Sequence, residues 1–312
     1  MVTSLKQQIQ QRVVLAPYTS WQIGGPADFF VRPRTIEEVR ESLLWAKEHG
    51  VAVTVLGGGS NVLIPDEGIR GLVIAMQGLR GVEEAKLPVP MREIAALPDD
   101  SRDYYRLTVL AGTPKAEVMK YFLRQQLSPA LFLAGLPGDV GGGVVMNAGV
   151  AEARHPREFG EIVEWIEVLH SKTGELVRLA HHDLRWSYRR SQGWQPGVIV
   201  RAGLKWPREP LAGLQRQVRD ANRLRQSKQP LQEPSCGSTF KNPEGTSAGR
   251  VIDQCGLKGF QIGGAQVSPK HANFIVNVGG ASAEDIRAVI EHVKATVRAQ
   301  TGIELETEVV FL

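Results

Sequence analysis

Two glycine-rich stretches decide the fold: Val51-Ala-Val-Thr-Val-Leu-Gly-Gly-Gly-Ser-Asn61 and Gly135-Leu-Pro-Gly-Asp-Val-Gly-Gly-Gly-Val-Val-Met-Asn-Ala-Gly149. The first is a β-branched run, typical of a buried strand, that leads into a turn of three glycines. The second has six glycines in fifteen residues and one charge, Asp139. Because glycine has no Cβ, both stretches let the backbone approach a partner closely. Either stretch alone is also compatible with ordinary tight turns, whereas two in one chain favour a phosphate-bearing cofactor.

Neither stretch is a common nucleotide-binding motif. The first has no GxGxxG pattern, and Val62-Leu-Ile-Pro65 continues as extended chain where a dinucleotide fold requires a helix N-terminus. No Gly-Lys-Ser/Thr follows it, which excludes a P-loop. The second reads as a loop built for close backbone approach. A cofactor fold of another kind is therefore expected.

Composition narrows the classes of protein. The chain has 312 residues, 42% of them hydrophobic, which is enough for two or three domains with substantial cores. Its 37 Lys and Arg against 33 Asp and Glu argue against a protein that coats nucleic acid. Cys236 and Cys255 exclude a disulfide framework, and neither has metal-ligand spacing. No apolar run reaches the roughly 18 residues of a membrane span. We expect a cytoplasmic protein without a metal site.

Periodicity predicts interleaved helices and strands. Helices are expected to begin at the capping pair Thr35 and Glu38, at Thr113-Pro114, and at the capping pair Ser282 and Asp285. A polar helix is expected over residues 211–229. The strand-like runs are 51–56, 71–76, 107–110, 162–170, 198–203, 272–278 and 303–311. The class is therefore mixed, either α+β or α/β. Residues 86–105 read as a long surface excursion.

Three polar stretches are candidates for chemistry. Pro234-Ser-Cys-Gly-Ser-Thr-Phe-Lys-Asn-Pro243 joins a turn glycine to a serine, a lysine and an asparagine. Ser187-Tyr-Arg-Arg-Ser191, taken alone, is more typical of an exposed basic turn. Ile303–Phe311 alternates apolar residues with glutamates, and alternation alone favours a solvated acidic face. Residues 201–230 hold eight Lys or Arg against two acidic residues, so the positive charge of the chain is regional.

These motifs, in this order, resemble the FAD-binding fold of the vanillyl-alcohol-oxidase superfamily. Within it, they are similar to the UDP-N-acetylenolpyruvoylglucosamine reductases, in particular to the shorter subgroup without an inserted tyrosine loop. The likeness runs from Thr19-Ser-Trp-Gln-Ile-Gly-Gly-Pro-Ala-Asp28 to Glu308. In that family alanine is usual at the position of Gly143.

The resemblance implies a domain organisation. We expect a two-subdomain FAD-binding fold of the vanillyl-alcohol-oxidase (PCMH) type over residues 1–207, with subdomains of about 1–78 and 79–207. An α+β substrate-binding domain follows over 208–302. The last strand, 303–312, is expected to return and pack near the flavin.

The resemblance also implies an activity. It is the NADPH-dependent reduction of UDP-N-acetylglucosamine enolpyruvate to UDP-N-acetylmuramate, with hydride from FAD N5 to C3 and a proton from Ser238 to C2. Arg189 matches the arginine that stabilises the enolate, and Glu308 the residue that helps to polarise or protonate the intermediate. A serine hydroxyl is a weak acid, so Ser238 protonates only a strongly basic carbon or enolate, or acts through a relay.

The remaining site residues are carried over by the same match. The residues expected to bind FAD are Gly57, Gly58, Gly59, Ser60, Asn61, Pro137, Gly138, Val140, Gly141, Gly142 and Asn147. The residues expected to bind the substrate are Tyr188, Arg225, Lys228, Asn242, Lys270 and His271. A lone histidine beside a strand is more often structural, and that alternative stays open for His271.

Two other functions stay open. One is another FAD-linked oxidase or dehydrogenase of the same fold, acting on an alcohol or hydroxy acid. The other is a sugar-nucleotide-binding protein with vestigial flavin loops. For the leading hypothesis the partners are small molecules, namely the sugar nucleotide and NADPH, without nucleic acid or membrane, and we expect a monomer.

Overall fold

The computed structural model describes residues 8–84, 103–150 and 155–312, and the predicted α+β class is confirmed. The described chain divides into two compact units. Unit 1 consists of residues within Met1–Val31, Gly50–Ile74 and Arg223–Leu312, and unit 2 of residues within Arg32–His49 and Ala75–Asn222. The domain boundaries expected near residues 78, 207 and 302 stay predictions.

Sixteen strands and seven α-helices occur in the described residues. The strands are β1 (Gln10–Val14), β2 (Pro26–Val31), β3 (Val53–Leu56), β4 (Val62–Leu63), β5 (Ile69–Ala75), β6 (Val82–Glu84), β7 (Tyr104–Leu110), β8 (Val163–His170), β9 (Leu176–Ala180), β10 (Arg185–Ser187), β11 (Arg190–Gln192), β12 (Gly197–Pro207), β13 (Gln261–Ile262), β14 (Ala265–Val267), β15 (Ile275–Asn277) and β16 (Val310–Phe311). The helices are α1 (Ile36–Glu48), α2 (Lys115–Arg124), α3 (Pro129–Leu133), α4 (Val140–Val145), α5 (Leu214–Lys228), α6 (Ala248–Gln254) and α7 (Ala283–Thr301).

Unit 1 combines a mixed sheet with a helical C-terminal part. The sheet has the order β1-β2-β5-β3, with β1 antiparallel and β5 parallel to β2. β5 is buried at every position except Arg70, as expected for an apolar central strand. Helices α6 and α7 pack with the antiparallel sheet β13-β14-β15 around a core that includes Trp21, Phe240 and Ile290.

Helix α7 forms where the capping signal predicts it. Ser282 and Asp285 each accept a hydrogen bond from the other's backbone N–H, both at 3.0 Å. The apolar stripe that the 3.6-residue period predicts is buried, and it consists of Ile286, Val289, Ile290, Val293 and Val297. Asp66 accepts hydrogen bonds from the first two backbone N–H groups of the helix, at 2.9 Å from Ala283 N and at 3.2 Å from Glu284 N.

The predicted strand over residues 303–311 is wrong in extent. Only Val310–Phe311 is a strand, pairing in parallel with Val62–Leu63. Leu305 and Val309 are buried, but Phe311 is 40% exposed, so the expected continuous apolar face is not formed. The buried apolar residues of this segment are separate contacts along an irregular chain, not one face of a strand. The C-terminus nevertheless returns to the first glycine stretch, as the resemblance predicts.

Unit 2 contains an antiparallel five-stranded sheet that shares a hydrophobic core with helices. Its strand order is β6-β7-β12-β8-β9, and β10 and β11 form a separate hairpin. β7 alternates buried and half-buried residues, and its buried members Tyr105, Leu107 and Val109 belong to the core with α2 and α3. The predicted excursion over 86–105 ends in this strand, and its residues 86–102 lie outside the described residues.

The predicted starts of α1 and α2 in unit 2 are confirmed. The prediction that the second glycine stretch is a loop is wrong. Thr35 accepts from Glu38 N at 3.1 Å at the start of α1, and α2 follows Pro114. Residues Val140–Val145 form α4, because Asp139 caps the helix by accepting from Gly142 N at 2.9 Å. Among the described residues, no helix is long and apolar enough to cross a membrane, and no cluster of His, Cys, Asp and Glu suits a metal ion.

Replacing the cap of α7 should weaken unit 1. Asp66→Ala removes the acceptor for two N–H groups at the positive end of the helix. We expect the free energy of unfolding, measured in urea, to fall by about 1–2 kcal/mol. Glu67→Ala, which changes the neighbouring exposed carboxylate, is the matched control. Equal effects of the two substitutions would contradict the capping role.

Candidate active site

The first glycine stretch turns between β3 and β4 in unit 1. Gly59 has a φ of +65°, and a Cβ at this position would lie 1.9 Å from the carbonyl oxygen of Tyr18. Ser20 N also donates to the Gly59 carbonyl at 2.9 Å. The close approach that the sequence predicts is therefore made here to the protein's own backbone. Any side chain at residue 59 would disrupt the turn.

Asn61 attaches the C-terminal segment to this turn. Its carboxamide Nδ2 donates to the Glu308 carbonyl at 3.0 Å, and its own carbonyl accepts from Val310 N at 3.1 Å. The first of these bonds joins residues 247 positions apart in the sequence. The predicted cofactor residue Asn61 thus holds the predicted catalytic residue Glu308, which is half-buried.

Ser238 is half-buried in a turn that begins at Gly237, whose φ is +74°. The next two residues are clamped by Asn273, a buried asparagine of the wall that leads into β15. Asn273 Oδ1 accepts from Phe240 N at 2.9 Å, its Nδ2 donates to Phe240 O at 2.8 Å, and its carbonyl accepts from Thr239 N at 2.8 Å. The backbone that carries Ser238 is therefore fixed on its C-terminal side.

Glu308 is tied to the same backbone. Its N–H donates to the Thr239 carbonyl at 2.8 Å, and Phe240 pairs with Thr307 in an isolated β-bridge. The structure therefore brings the segments of Ser238 and Glu308 together within unit 1. Cys236, two residues before Ser238, is buried, which raises the pKa of its thiol to about 12. The protonated thiol is therefore an unreactive group that fills space in the core.

The asparagine and lysine after the serine have structural contacts of their own. Asn242 Oδ1 accepts from Ala248 N at 3.1 Å, at the start of α6. Lys241 forms an ion pair with Glu306, and its backbone N–H donates to the Glu306 carbonyl at 2.9 Å. The predicted substrate contact of Asn242 uses what remains of its carboxamide, and it stays a prediction.

The other basic residues predicted to bind substrate lie on α5 and before β15. Arg225 and Lys228 are three residues apart in the last turn of α5, so they share a face of the helix. Lys270 Nζ donates to the Gln226 carbonyl of the same helix at 2.5 Å. The structure thus brings Lys270 to the C-terminal turn of α5. Their contacts with a diphosphate stay predictions.

His271 has contacts that suit the structural alternative. Its Nδ1 accepts from Asn273 N at 3.2 Å, and its ring packs edge-on against Phe274 with centroids 4.8 Å apart. Burial lowers the pKa of the imidazole. The neutral ring therefore supports Asn273 and, through it, the backbone after Ser238.

The second glycine stretch lies in unit 2, where its peptide groups are largely used by the protein. Val140 N donates to Thr113 O at 3.0 Å, and Gly141 N to Ala111 O at 2.7 Å. Gly142 N donates to Asp139, as described for the cap of α4. The N–H groups of Val140, Gly141 and Gly142 are therefore already used within the protein, and the predicted FAD contacts of these residues stay predictions.

Three successive glycines in α4 face different surroundings. A Cβ on Gly141 would lie 3.0 Å from the Ala111 side chain, and one on Gly143 would lie 2.6 Å from the Phe159 ring and 2.8 Å from Lys115 Cε. A Cβ on Gly142 would meet only Asp139 Oδ1, at 3.1 Å, within the described chain. Gly142 thus presents an open backbone surface between two packed glycines, which suits close approach of a ligand.

Asn147 links the glycine stretch to the arginine hairpin. It is fully buried, its Oδ1 accepts from Gly160 N at 2.8 Å, and its Nδ2 donates to Ser187 O at 3.1 Å. It therefore supports the hairpin β10–β11, and its predicted contact with the cofactor stays a prediction.

Tyr188 and Arg189 form the turn of that hairpin. Arg189 has a φ of +59°, which is uncommon for a residue with a side chain and occurs often at functional sites. The Arg189 guanidinium lies 4.7 Å from the centre of the Tyr188 ring, and Tyr188 is 49% exposed. The basic turn predicted from the sequence is therefore present, but Arg189 is half-buried and lies against an aromatic ring.

Lys115 is a charged residue of this region that sequence reasoning missed. It is only 4% exposed, its Nζ donates to the Pro137 carbonyl at 2.6 Å, and its backbone N–H donates to the Gly138 carbonyl at 3.0 Å. Burial lowers the pKa of the amine to about 8, Asp139 opposes that shift, and Arg189 adds to it. In the sequence it looks like any polar residue in the first turn of a helix.

Asn273 was missed as well, although it lies two residues after His271, which the match assigns to the substrate. Its role depends on a partner 33 residues away, Phe240, and no local pattern encodes that contact. The signal for Asn273 in the sequence is its position among apolar residues. An asparagine among Ala272, Phe274 and Ile275, all buried, needs partners for its carboxamide.

Comparison with known proteins first defines the class. Residues 27–180 match the domain family described as the FAD binding domain, so the chain is a flavoprotein of this fold. Residues 229–312 match the C-terminal domain family of UDP-N-acetylenolpyruvoylglucosamine reductase.

Whole-chain relatives define the family. The UDP-N-acetylenolpyruvoylglucosamine reductase of Pediococcus pentosaceus is 40% identical over 304 residues, which is 97% of this chain and 93% of that protein. The reductase of Rubrobacter xylanophilus is 40% identical over 302 residues, 95% and 92% of the two chains. The crystal structure of the reductase from Thermus caldophilus has a TM-score of 0.74 and 31% identity, covering 97% of this chain and 99% of that one. The chain belongs to the UDP-N-acetylenolpyruvoylglucosamine reductase family.

Adding a methyl group at two adjacent glycines of α4 should change stability to different extents. Gly143→Ala forces the methyl group against the Phe159 ring and Lys115, so we expect the free energy of unfolding to fall by about 1–3 kcal/mol. Gly142→Ala, the matched control, adds a residue of better helix propensity on the open side and should change stability by less than about 1 kcal/mol. Urea unfolding measures both variants. Equal losses would contradict the packing described here.

The buried amine should make stability depend on pH in a defined window. Because the pKa of Lys115 is lower in the folded state, the unfolded chain binds the proton more tightly between about pH 8 and pH 10.5. The free energy of unfolding should therefore rise across that window, by roughly 3 kcal/mol from this group.

Lys115→Met should remove this rise, because methionine fills the site without a titrating group. Lys120→Met, which changes an exposed lysine of the same helix, should keep it. Urea unfolding of the three proteins from pH 7 to pH 10.5 compares the slopes. A slope unchanged by Lys115→Met would exclude Lys115 as its source.

Proposed function

We infer that this chain catalyses the reaction of its family, the NADPH-dependent reduction of UDP-N-acetylglucosamine enolpyruvate to UDP-N-acetylmuramate, a peptidoglycan precursor. The observation that carries the inference is the attachment of Glu308 to the backbone of the Ser238 segment, through Glu308 N and Thr239 O. Two residues with matched roles, 70 positions apart in the sequence, share one clamped piece of backbone.

The glycine stretches are the proposed FAD site. Gly142 offers an open backbone surface on a helix that is fixed on both sides, which fits the approach of an extended cofactor. Pro137 and Gly138 precede that helix, and Gly57–Asn61 form the second proposed contact in unit 1. When bound, FAD supplies the chemistry that passes a hydride from NADPH to the enolpyruvyl group.

Ser238 is the proposed proton donor to C2. Its hydroxyl acts only if the carbon is strongly basic, and reduction at C3 leaves enolate character at C2 beside the carboxylate. The clamp by Asn273 keeps the serine backbone in one position, so its hydroxyl does not have to be ordered during the reaction. Glu308, held by Asn61 and Thr239, is the proposed partner for polarising or protonating the intermediate.

Arg189 is the proposed group that stabilises the enolate. Its planar guanidinium suits a carboxylate and remains charged at any physiological pH. The strained turn and the Tyr188 ring limit its rotation, which lowers the cost of ordering it. Tyr188 is assigned to the substrate pocket on the same grounds.

The sugar nucleotide is assigned to the basic residues around α5. Arg225 and Lys228 provide cations for a diphosphate, and the hydrogen bond from Lys270 to Gln226 brings a third basic residue to that turn. Asn242 and His271 complete the proposed set. We further propose that the enzyme works as a cytoplasmic monomer on small molecules only, without nucleic acid or membrane. The free thiols of Cys236 and Cys255 support the cytoplasmic location.

Two half-reactions test the proposal. Under anaerobic conditions NADPH should bleach the flavin absorbance, and the enolpyruvyl nucleotide should then restore it. Ser238→Ala should keep the bleaching rate and slow the recovery by about 10²–10⁴-fold, because only the second half-reaction needs the proton. Stopped-flow absorbance measures both rates.

The control for this experiment is Ser235→Ala, which changes a half-buried serine of the same segment and should leave both rates near wild type. Recovery with molecular oxygen but not with the enolpyruvyl nucleotide would replace the reductase by an oxidase of the same fold. Loss of bleaching in Ser238→Ala would refute the role of the serine as proton donor.

A further inference from the structure

Lys115 is costly where it lies. It is buried in the first turn of α2, at the positive end of the helix, where a cation is disfavoured by the helix dipole and by loss of water. A leucine or methionine would fill the same space without that cost. A buried charge with a perturbed pKa and specific charged neighbours is a candidate for a functional role.

The contacts of Lys115 all lead to one segment. Its side chain and its backbone N–H bind the Pro137 and Gly138 carbonyls, and Pro114 pairs with Asp139 in an isolated β-bridge. The aliphatic part of the side chain occupies the space beside Gly143, and Nζ lies 5.8 Å from the centre of the Phe159 ring. Lys115 thus crosslinks α2 to the start of the second glycine stretch.

Two charged groups face the amine. Asp139 is buried and caps α4 through Gly142 N, so its carboxylate needs a positive charge nearby. Arg189, from the hairpin, acts against the amine's charge. The charged state of Lys115 therefore balances Asp139 and holds the carbonyl of Pro137. The neutral amine leaves the carboxylate less compensated, which loosens the residues that it caps.

We propose that protonated Lys115 is the positioning residue of the flavin-binding segment Pro137–Gly142, so that binding of FAD and binding of this proton reinforce each other. The proposal rests on the proposed function, because it takes this segment as part of the FAD site. It assigns Lys115 no contact with the cofactor. Its effect is transmitted through the Pro137 carbonyl and the cap of α4.

The consequence is measurable without any turnover. By linkage, if the proton raises the affinity for FAD by a given factor, FAD raises the proton affinity of Lys115 by the same factor. We expect about a tenfold effect, within the usual range of such couplings. FAD binding to the apoprotein should then take up protons near pH 8–9, and the dissociation constant of FAD should rise about tenfold between pH 7 and pH 10.

The experiment is calorimetric titration of apoprotein with FAD in buffers of different ionisation enthalpy, which gives the protons taken up. Flavin fluorescence over the pH series gives the dissociation constant. Lys115→Met should bind FAD about tenfold more weakly at pH 7, with no uptake from this group and a flatter pH profile. Lys120→Met, on the exposed side of α2, should match wild type.

The outcomes are separable. Wild-type protein that binds FAD with no proton uptake at pH 8–9, or with an uptake that Lys115→Met retains, would overturn the role of Lys115. Protein that binds no FAD at any pH would overturn the proposed function instead. If Lys115→Met does not fold, as circular dichroism would reveal, Lys115→Arg replaces it. The guanidinium keeps its charge at every pH used, so FAD should bind without the proton uptake of the wild type near pH 8–9, and an unchanged uptake would overturn the role of Lys115.

Discussion

The attachment of the C-terminal segment to the first glycine turn is the constraint on which the organisation of unit 1 depends. The side chain and carbonyl of Asn61 bind the backbone of Glu308 and Val310. The adjacent Gly59 cannot carry a side chain, because Tyr18 lies against it. The turn is therefore rigid before any ligand binds. A segment from the far end of the chain is fixed to a rigid turn, and the Ser238 backbone is fixed to that segment through Thr239.

In unit 2, buried charged residues fix the position of the glycine-rich helix α4. Its glycine helix is short, so its own hydrogen bonds give it little stability. Asp139 caps it, the Ala111 and Thr113 carbonyls accept its first N–H groups, and Lys115 compensates the cap. Asn147 then joins the end of the helix to the arginine hairpin. Each polar group here is buried with a partner, which makes the arrangement specific at some cost in stability.

The sequence predicts well wherever the signal is local. Caps at Thr35 and Ser282 locate α1 and α7, because a capping side chain accepts a hydrogen bond from a backbone N–H only three residues further on. It fails at Ile303–Phe311, where alternation suggests a strand but the chain is held by side contacts to Asn61, Thr239 and Lys241 instead of a ladder. It also misses α4, since six glycines in fifteen residues argue against a helix that a single aspartate suffices to start.

The same division applies to the site. Ser238, Arg189 and Glu308 are found by matching motifs, but what holds them is not visible in any motif. Asn273 acts on Phe240 through buried backbone groups, and Lys115 acts on Pro137 from the far side of the glycine stretch.

The glycine at residue 143 gives a physical reason why Lys115 fits in this chain. An alanine methyl group at this position would occupy the space that the Lys115 side chain and the Phe159 ring now fill. The absence of a Cβ leaves room for the aliphatic part of the lysine, whose Nζ donates to the Pro137 carbonyl. Gly143 and the buried lysine therefore form one packing arrangement, and the lysine holds the segment proposed to bind flavin.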